Sequence, residues 1–249
     1  MLLGEPTPTQ ADLHFRIFGI PVRVHPFFWL VSLFLGMGGG EADPRGTLIW
    51  VAVVFVSVLN HELGHAFLQR YYGGRPWITL YSLGGLASCN DCDRRPRSQI
   101  IILLAGPMAG FLLAGLVIAV LATLGRLRGF ELSLSPVDWV PFDISYWQQN
   151  GRPSTRDTLI MDLLHVNILW GLINLLPIYP LDGGQIAREL FTLQNPRNGI
   201  VQSLQLSVGC AILIGVYALT RQQYYTCIMF GILAYESFQT LQAYRNHLR

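Results

Sequence analysis

The sequence predicts an all-α membrane protein, a polytopic bundle of about six transmembrane helices with a short β-hairpin at the membrane edge. Of its 249 residues, 51% are hydrophobic and 13% are charged, whereas soluble domains carry roughly 25% charged residues. Long stretches also lack Asp, Glu and Arg altogether. The balance of 17 basic and 15 acidic residues lacks the basic excess that neutralises phosphates, so nucleic acid is not an expected partner.

The spans are placed where about 20 residues are mostly apolar, the length that crosses a bilayer as a helix. The first is short and ends in a glycine-rich run, and the second is interrupted by Asn60, His61, Glu62 and His65. The next three are free of Asp, Glu and Arg, and the sixth follows directly after Arg221. The six predicted spans are residues 26–40, 46–69, 99–125, 163–181, 199–220 and 222–235.

The arginines indicate the orientation, because cytoplasmic loops retain positive charge. With a cytoplasmic N-terminus, 11 of the 17 arginines lie in inside segments and six in outside segments. We therefore expect a multi-pass protein of the cell membrane with its N-terminus inside. Residues 129–157 then form a polar outside loop.

A β-hairpin is predicted between the second and third spans. Residues 77–87 are rich in β-branched and aromatic residues and close on Gly84-Gly85, a hairpin signal.

The second span contains His61-Glu62-Leu63-Gly64-His65. The two histidines are one turn apart on one helix face, so both can bind one zinc ion, and the adjacent carboxylate can accept a proton from zinc-bound water. With six histidines and six glutamates in the chain, chance would produce this pattern roughly 0.003 times. A carboxylate at bilayer depth is also costly unless it is paired or coordinated. The motif therefore predicts a metal site.

A catalytic zinc ion usually has three protein ligands and an open position for water. Asp182 is the best candidate for the third ligand, because the second and fourth spans run in the same direction and bring it to the cytoplasmic side with the histidines. Pro177 and Pro180 disturb the helix before it, and Gly183-Gly184 lets the backbone turn. Such irregular backbone is tolerated at membrane depth where it lines protein or a watery cavity. The alternative is that Asp182 is an interfacial helix-end residue.

These motifs resemble the site-2 protease family of intramembrane zinc metalloproteases. The resemblance rests on the histidine motif and on Asn174-Leu-Leu-Pro-Ile-Tyr-Pro-Leu-Asp182-Gly-Gly. It extends to residues 19–26, the Gly84-Gly85 hairpin and Ala105-Gly-Pro-Met-Ala-Gly110, and so covers about residues 19–185. It implies that His61, His65 and Asp182 hold one zinc ion and that Glu62 is the catalytic base.

The resemblance also implies substrate contacts. Asn174 matches a family asparagine that we expect to hold the substrate backbone or the developing oxyanion, with helix packing as the alternative. The hairpin edge at Gly84 and Gly85 is expected to receive an unwound substrate strand by β-addition. The family often has Asn where this chain has Gly110, which weakens one packing or substrate contact but not the metal site.

The predicted function is that of a zinc metalloendopeptidase that hydrolyses peptide bonds in or near transmembrane segments of membrane-anchored protein substrates. We expect one integral membrane protease domain over residues 1–249, with a catalytic core at about 46–186 and no PDZ or CBS domain. The alternative is a non-catalytic polytopic membrane protein, either a transporter or a degenerate protease-like regulator. The intact Glu62 argues against degeneracy.

Two further patterns receive a structural interpretation. Cys89-Asn-Asp-Cys92 has the spacing of a metal or redox pair, but one such pair is a weak signal and an ordinary loop is favoured. The motif Gly106-x-x-x-Gly110 and the polar residues His165 and Asn167 are expected to serve helix packing.

Overall fold

The computed structural model describes residues 5–37, 44–82, 84–124 and 155–247. These residues form helices and one four-stranded sheet. The helices are α1 (Pro26–Gly36), α2 (Pro44–Tyr71), α3 (Pro96–Thr123), α4 (Thr155–Asn174), α5 (Asp182–Gln194), α6 (Gly199–Thr220) and α7 (Tyr224–His247). The strands are β1 (Leu13–Ile17), β2 (Ile20–Val24), β3 (Pro76–Tyr81) and β4 (Gly84–Cys89).

Three helices of the described residues, α2, α3 and α6, are long and apolar enough to cross a membrane. Helix α1 and most of α4 are apolar but shorter. Large apolar side chains also face outward, such as Leu112 on α3, 69% exposed, and Leu213 on α6, 71% exposed. Such a surface suits lipid rather than water. The chain is therefore an integral membrane protein, and the count of six spans stays a prediction.

The predicted bounds of the fourth span, 163–181, are wrong. Helix α4 ends at Asn174, because Pro177 and Pro180 have no N–H to continue its hydrogen bonding. Residues 175–181 form an irregular segment, which we call the ligand loop. Helix α4 also begins at Thr155, inside the predicted outside loop 129–157. Residues 129–154 of that loop, and the span ends at 38–40 and 125, lie outside the described residues.

The sheet has the order β1-β2-β3-β4 and consists of two antiparallel hairpins joined by a parallel pair, β2 with β3. A parallel pair needs a long crossover connection, which α1 and α2 provide here. The all-α class with one short hairpin was therefore incomplete, because β1 and β2 were not predicted.

The hairpin predicted within residues 77–87 is confirmed, but its turn was placed wrongly. Gly84 and Gly85 lie in β4 and pair with the last two residues of β3. The chain turns earlier, at Ser82, whose φ of 48° is in the left-handed region. Leu83 lies outside the described residues.

Two apolar cores support the elements that carry the site. The first packs the sheet against α1 and α2, with Phe28, Ile78 and Leu80 fully buried. The second packs Ile178 of the ligand loop, also fully buried, against Phe230 and neighbouring residues of α6 and α7. The sheet therefore rests on the first two helices and the ligand loop on the last two.

Candidate metal centre

Helix α2 brings the predicted histidines together. His61 and His65 are buried, and their Nε2 atoms lie 3.1 Å apart. His61 lies ten residues before the end of α2 at Tyr71, which is about 15 Å along a helix. The pair is therefore well inside the helix and away from its exposed end.

Asp182, the first residue of α5, completes the group. Its Oδ2 atom lies 3.1 Å from Nε2 of His61 and 3.4 Å from Nε2 of His65. Ligands about 2.0–2.2 Å from a tetrahedral zinc ion are about 3.3–3.6 Å from one another. Two imidazole nitrogens and a carboxylate oxygen are also donors that zinc prefers. The geometry and the chemistry of this group therefore fit one zinc ion.

The hydrogen bond of His65 fixes which of its nitrogens can bind the metal. Its Nδ1 atom lies 2.7 Å from the carbonyl oxygen of Ile102 in α3, and a carbonyl oxygen only accepts. Nδ1 therefore carries the proton, which leaves the Nε2 lone pair directed at His61 and Asp182.

Helix α3 approaches the metal ligands at Gly106. A Cβ atom there would collide with the imidazoles of both His61 and His65. Asn60 reinforces this approach, since its Nδ2 donates to the carbonyl of Ala109 at 2.9 Å. The sequence predicts only a packing role for Gly106, whereas its missing side chain makes room for the imidazoles of the two candidate metal ligands.

The ligand loop is held by side chains from three helices. Ser207 of α6 accepts a hydrogen bond from Tyr179 N at 3.0 Å, and Ser237 of α7 donates one to Tyr179 O at 2.7 Å. Gln185 of α5 donates to Pro180 O at 3.1 Å. These bonds, with the buried Ile178, fix the segment that ends at the metal ligand.

Glu62 is buried against strand β4. A Cβ atom at Gly85 would collide with the Glu62 side chain, and the main chain of Ala87 interacts with its carboxylate. The carboxylate thus lies next to the metal ligands, between α2 and the strand, without being part of the three-residue group.

A cavity of about 720 Å³ connects these features. Its lining includes the three metal-binding candidates, Glu62, and all the predicted substrate contacts: Gly84, Gly85 and Asn174. One N–H of Asn174 Nδ2 is used within its own helix, where it donates to Trp170 O at 3.0 Å. The structure thus brings every predicted site residue to one cavity, and the roles of Asn174, Gly84 and Gly85 stay predictions.

The cysteine pair lies at the same cavity and forms a disulfide between Cys89 and Cys92, so the ordinary-loop interpretation was wrong. The next residue, Asp93, accepts hydrogen bonds from Arg95 and from Ser98 in the first turn of α3. The bonds from Arg95 hold the pKa of Asp93 well below its ordinary value. The disulfide and the hydrogen bonds of Asp93 therefore stabilise the segment between the end of β4 and the start of α3.

Asn167 serves helix packing as predicted, since its Nδ2 donates to Ser57 Oγ of α2 at 2.8 Å. The other expected packing residue, His165, is exposed instead. Sequence reasoning missed Ser207 and Ser237, whose partners are distant in the chain, and also Ile102, which acts through its backbone carbonyl.

Together, the fold and the site define a polytopic membrane protein with a buried group of two histidines and one aspartate that could hold a metal ion. The chain belongs to peptidase family M50, whose family model matches residues 49–216. The matched range includes the histidine motif, Asn174 and Asp182.

Individual relatives agree with this assignment. The site-2 protease from Methanocaldococcus jannaschii has the same fold, with a TM-score of 0.57 over 93% of this chain and 95% of that one, at 23% identity. A zinc metalloprotease of the same organism is 31% identical over 182 residues, which are 72% of this chain and 44% of that protein. Stage IV sporulation protein FB of Bacillus subtilis is 25% identical over 225 residues, 88% of this chain and 66% of that protein. The chain spans less than two thirds of the length of these curated relatives.

Proposed function

We propose that this protein is an intramembrane zinc metalloprotease that hydrolyses peptide bonds in or near transmembrane segments of membrane-anchored protein substrates. One observation carries the proposal: a zinc-compatible group of two histidines and an aspartate lies beside the buried Glu62 on the wall of one cavity. Membership of peptidase family M50 and the names of the relatives support it.

A zinc ion held by His61, His65 and Asp182 would lower the pKa of water to about 7 and polarise a substrate carbonyl. Glu62 accepts the proton of the attacking water and then gives it to the leaving amine nitrogen. Asn174 has a second amide N–H besides the one bound to Trp170 O. We assign that N–H to the developing oxyanion, where a preorganised donor stabilises the transition state.

The substrate helix must unwind before its carbonyl groups are accessible, and strand β4 is suited to receive the unwound segment. It is the last strand of the sheet, so one of its edges faces away from β3. Gly84 and Gly85 line the cavity on this strand. A peptide with N-methyl groups on alternate residues cannot form a ladder on this edge. Cleavage of that peptide at the rate of the unmodified one would exclude strand addition.

The same proposal includes the arrangement of the chain in the membrane. The chain crosses the bilayer six times, with the N-terminus and the active site toward the cytoplasmic side of the cell membrane, because positive charge is concentrated there. It forms one protease domain with a catalytic core at about residues 46–186. Single cysteines introduced into a variant that lacks the native ones, and labelled from one side at a time, test this topology; labelling of both ends from outside would contradict it.

The main test combines metal analysis with cleavage of a synthetic transmembrane peptide. We expect one zinc ion per wild-type chain and cleavage that stops when the metal is chelated. Glu62→Gln should retain zinc and lose about 10²–10⁴-fold in kcat, the usual contribution of a general base, whereas Asp182→Ala should lose zinc.

The matched control for that test is Glu189→Gln. This glutamate lines the same cavity but pairs with Arg188 at 3.3 Å, so its removal should leave kcat within a few-fold of wild type. Undiminished cleavage by Glu62→Gln, or a wild-type protein without zinc, would contradict the proposed function. A transporter would show neither stoichiometric zinc nor peptide products.

A further inference from the structure

Gln69 lies on the same face of α2 as the metal-binding histidines. It follows His65 by four residues, one helical turn, and Glu62 by seven residues, two turns. Its side chain lines the cavity. Nothing in the proposed chemistry uses this residue, although it is only one turn from a metal ligand.

The side chain of Gln69 holds strand β4 at a single point. Its Nε2 atom donates a hydrogen bond to the carbonyl oxygen of Ala87 at 3.0 Å. The main chain of the same residue interacts with Glu62. Two side chains of α2 therefore contact the main chain of Ala87.

These contacts show which residues of β4 direct their main-chain groups away from β3. The groups alternate along a strand with a period of two. Because Ala87 directs its carbonyl toward α2, Gly85 and Cys89 direct theirs to the same edge. The Ala87 carbonyl is occupied by Gln69, and Cys89 is constrained by its disulfide with Cys92. Gly85 packs on Glu62, so of these three residues it is the one beside the general base whose carbonyl is not capped by Gln69.

The Oε1 atom of the Gln69 side chain makes no comparable contact. Its Oε1 is buried and has no hydrogen-bond partner among the described residues. An unpaired buried acceptor is unfavourable. At this position the Nε2 donor of glutamine makes a hydrogen bond, whereas the Oε1 acceptor makes none.

From these contacts we infer that Gln69 is a positioning residue that sets the cleavage site. By capping the Ala87 carbonyl, it prevents a substrate strand from pairing there and confines pairing to Gly85, so that one peptide bond is presented to Glu62. A bound substrate strand can shift its register only by an even number of residues, because a shift by one residue would turn its main-chain N–H and C=O groups away from β4. Removal of the cap therefore permits a second register, displaced by two residues. The inference rests on the proposed function.

The test uses a synthetic peptide with an uncharged Leu- and Ala-rich transmembrane segment, so that side-chain preferences do not select the bond, and mass spectrometry of the products. Gln69→Met removes donor and acceptor at similar length. We expect a second product, cut two residues from the first, at about a tenth or more of the total. Gln69→Lys restores a donor without an acceptor, and it should return cleavage to the original bond.

Gln99→Met is the matched control. Gln99 lines the same cavity, but its Nε2 donates to the carbonyl of Asp93 and not to β4, so this variant should cut only at the original bond. If Gln69→Met cuts at the original bond alone, however slowly, Gln69 has a merely structural role and the inference is wrong.

A second measurement does not depend on cleavage. In Glu62→Gln protein, a photoreactive residue in the bound peptide should crosslink to β4 at one position. When Gln69→Met is added to the same protein, crosslinks should form at two positions. An unchanged crosslink would overturn the inference even if the protein is a protease. A wild-type protein that binds and crosslinks the peptide but never cleaves it would refute the proposed function and leave the register result valid.

Discussion

The two walls of the cavity differ in how their main-chain groups are used. On the ligand loop, both main-chain groups of Tyr179 and the carbonyl of Pro180 are bonded by side chains from α5, α6 and α7. On β4, one edge pairs with β3, whereas the other faces the cavity and is capped at Ala87. The wall that carries the candidate metal ligand Asp182 is thus held by side chains of the protein itself, whereas on the wall that we propose binds substrate Gln69 caps the outer edge at Ala87.

The largest expected effect comes from a side chain forced into the fixed wall. A Cβ atom at Gly183 would collide with the backbone of the ligand loop at Leu175 and Leu176. Gly183→Ala should therefore displace Asp182, abolish stoichiometric zinc and with it cleavage, as loss of one of three protein ligands would. Zinc analysis and peptide cleavage measure both.

Gly209→Ala controls for the helical substitution itself, because a Cβ atom at Gly209 in α6 meets nothing within 4 Å among the described residues. It should retain zinc and activity. Normal zinc content in Gly183→Ala would show that the ligand loop can shift without loss of the metal. The ligand loop would then not be the more rigid of the two cavity walls.

The second effect tests β4, where we expect a substitution to lower kcat without loss of zinc. A Cβ atom at Gly85 would collide with the Glu62 side chain, whereas one at Gly84 would make only ordinary contact with Trp170 at 3.9 Å. Gly85→Ala should retain zinc and lose about 10²-fold in kcat, since a small misplacement of a catalytic group has that cost. Gly84→Ala should stay within a few-fold of wild type. Equal kcat values for the two variants would contradict this assignment.

The smallest effect tests the support of the ligand loop. Ser237→Ala removes the donor to Tyr179 O, and we expect zinc affinity to fall by about 10-fold, the lower end for groups that support metal ligands. Ser203→Ala is the control, because this buried serine donates to Ile200 O within its own helix. Competition with a chromogenic chelator gives both affinities. The same affinity in both variants would mean that the serine does not position Asp182.

The sequence was sufficient to single out the three residues that the structure brings together as a possible metal site, because metal binding constrains the spacing of its ligands. Two histidines that bind one ion from the same helix lie one turn apart, as His61 and His65 do, and the two prolines before Asp182 mark a break in an apolar helix. The three candidate ligands and Glu62 were predicted, and the structure places all four at one cavity, while their roles stay predictions.

Glycine gave a correct and a misleading signal at the hairpin. The pair Gly84-Gly85 suggested a turn, yet both residues lie in β4, where the missing side chain of Gly85 makes room for Glu62. A glycine that permits positive φ and a glycine that permits close approach look identical in a sequence. Only the position of α2 distinguishes them.

The supporting residues could not be predicted for a different reason. Ser207, Ser237 and Gln69 act through hydrogen bonds to main-chain groups. Such a partner has no side-chain signature, so nothing in the local pattern separates these residues from ordinary polar residues on an apolar helix.

The parallel pairing of β2 with β3 has a consequence for any attempt to isolate or transplant the active unit. Strand β4, which we propose binds substrate, pairs with β3, and β3 pairs with β2, a strand that precedes the first helix. A fragment trimmed to residues 46–186 would keep His61, His65 and Asp182 but would lose β2, the strand that pairs with β3. Moving the β3–β4 hairpin alone into another membrane protein would likewise transfer two strands without β2, with which β3 pairs.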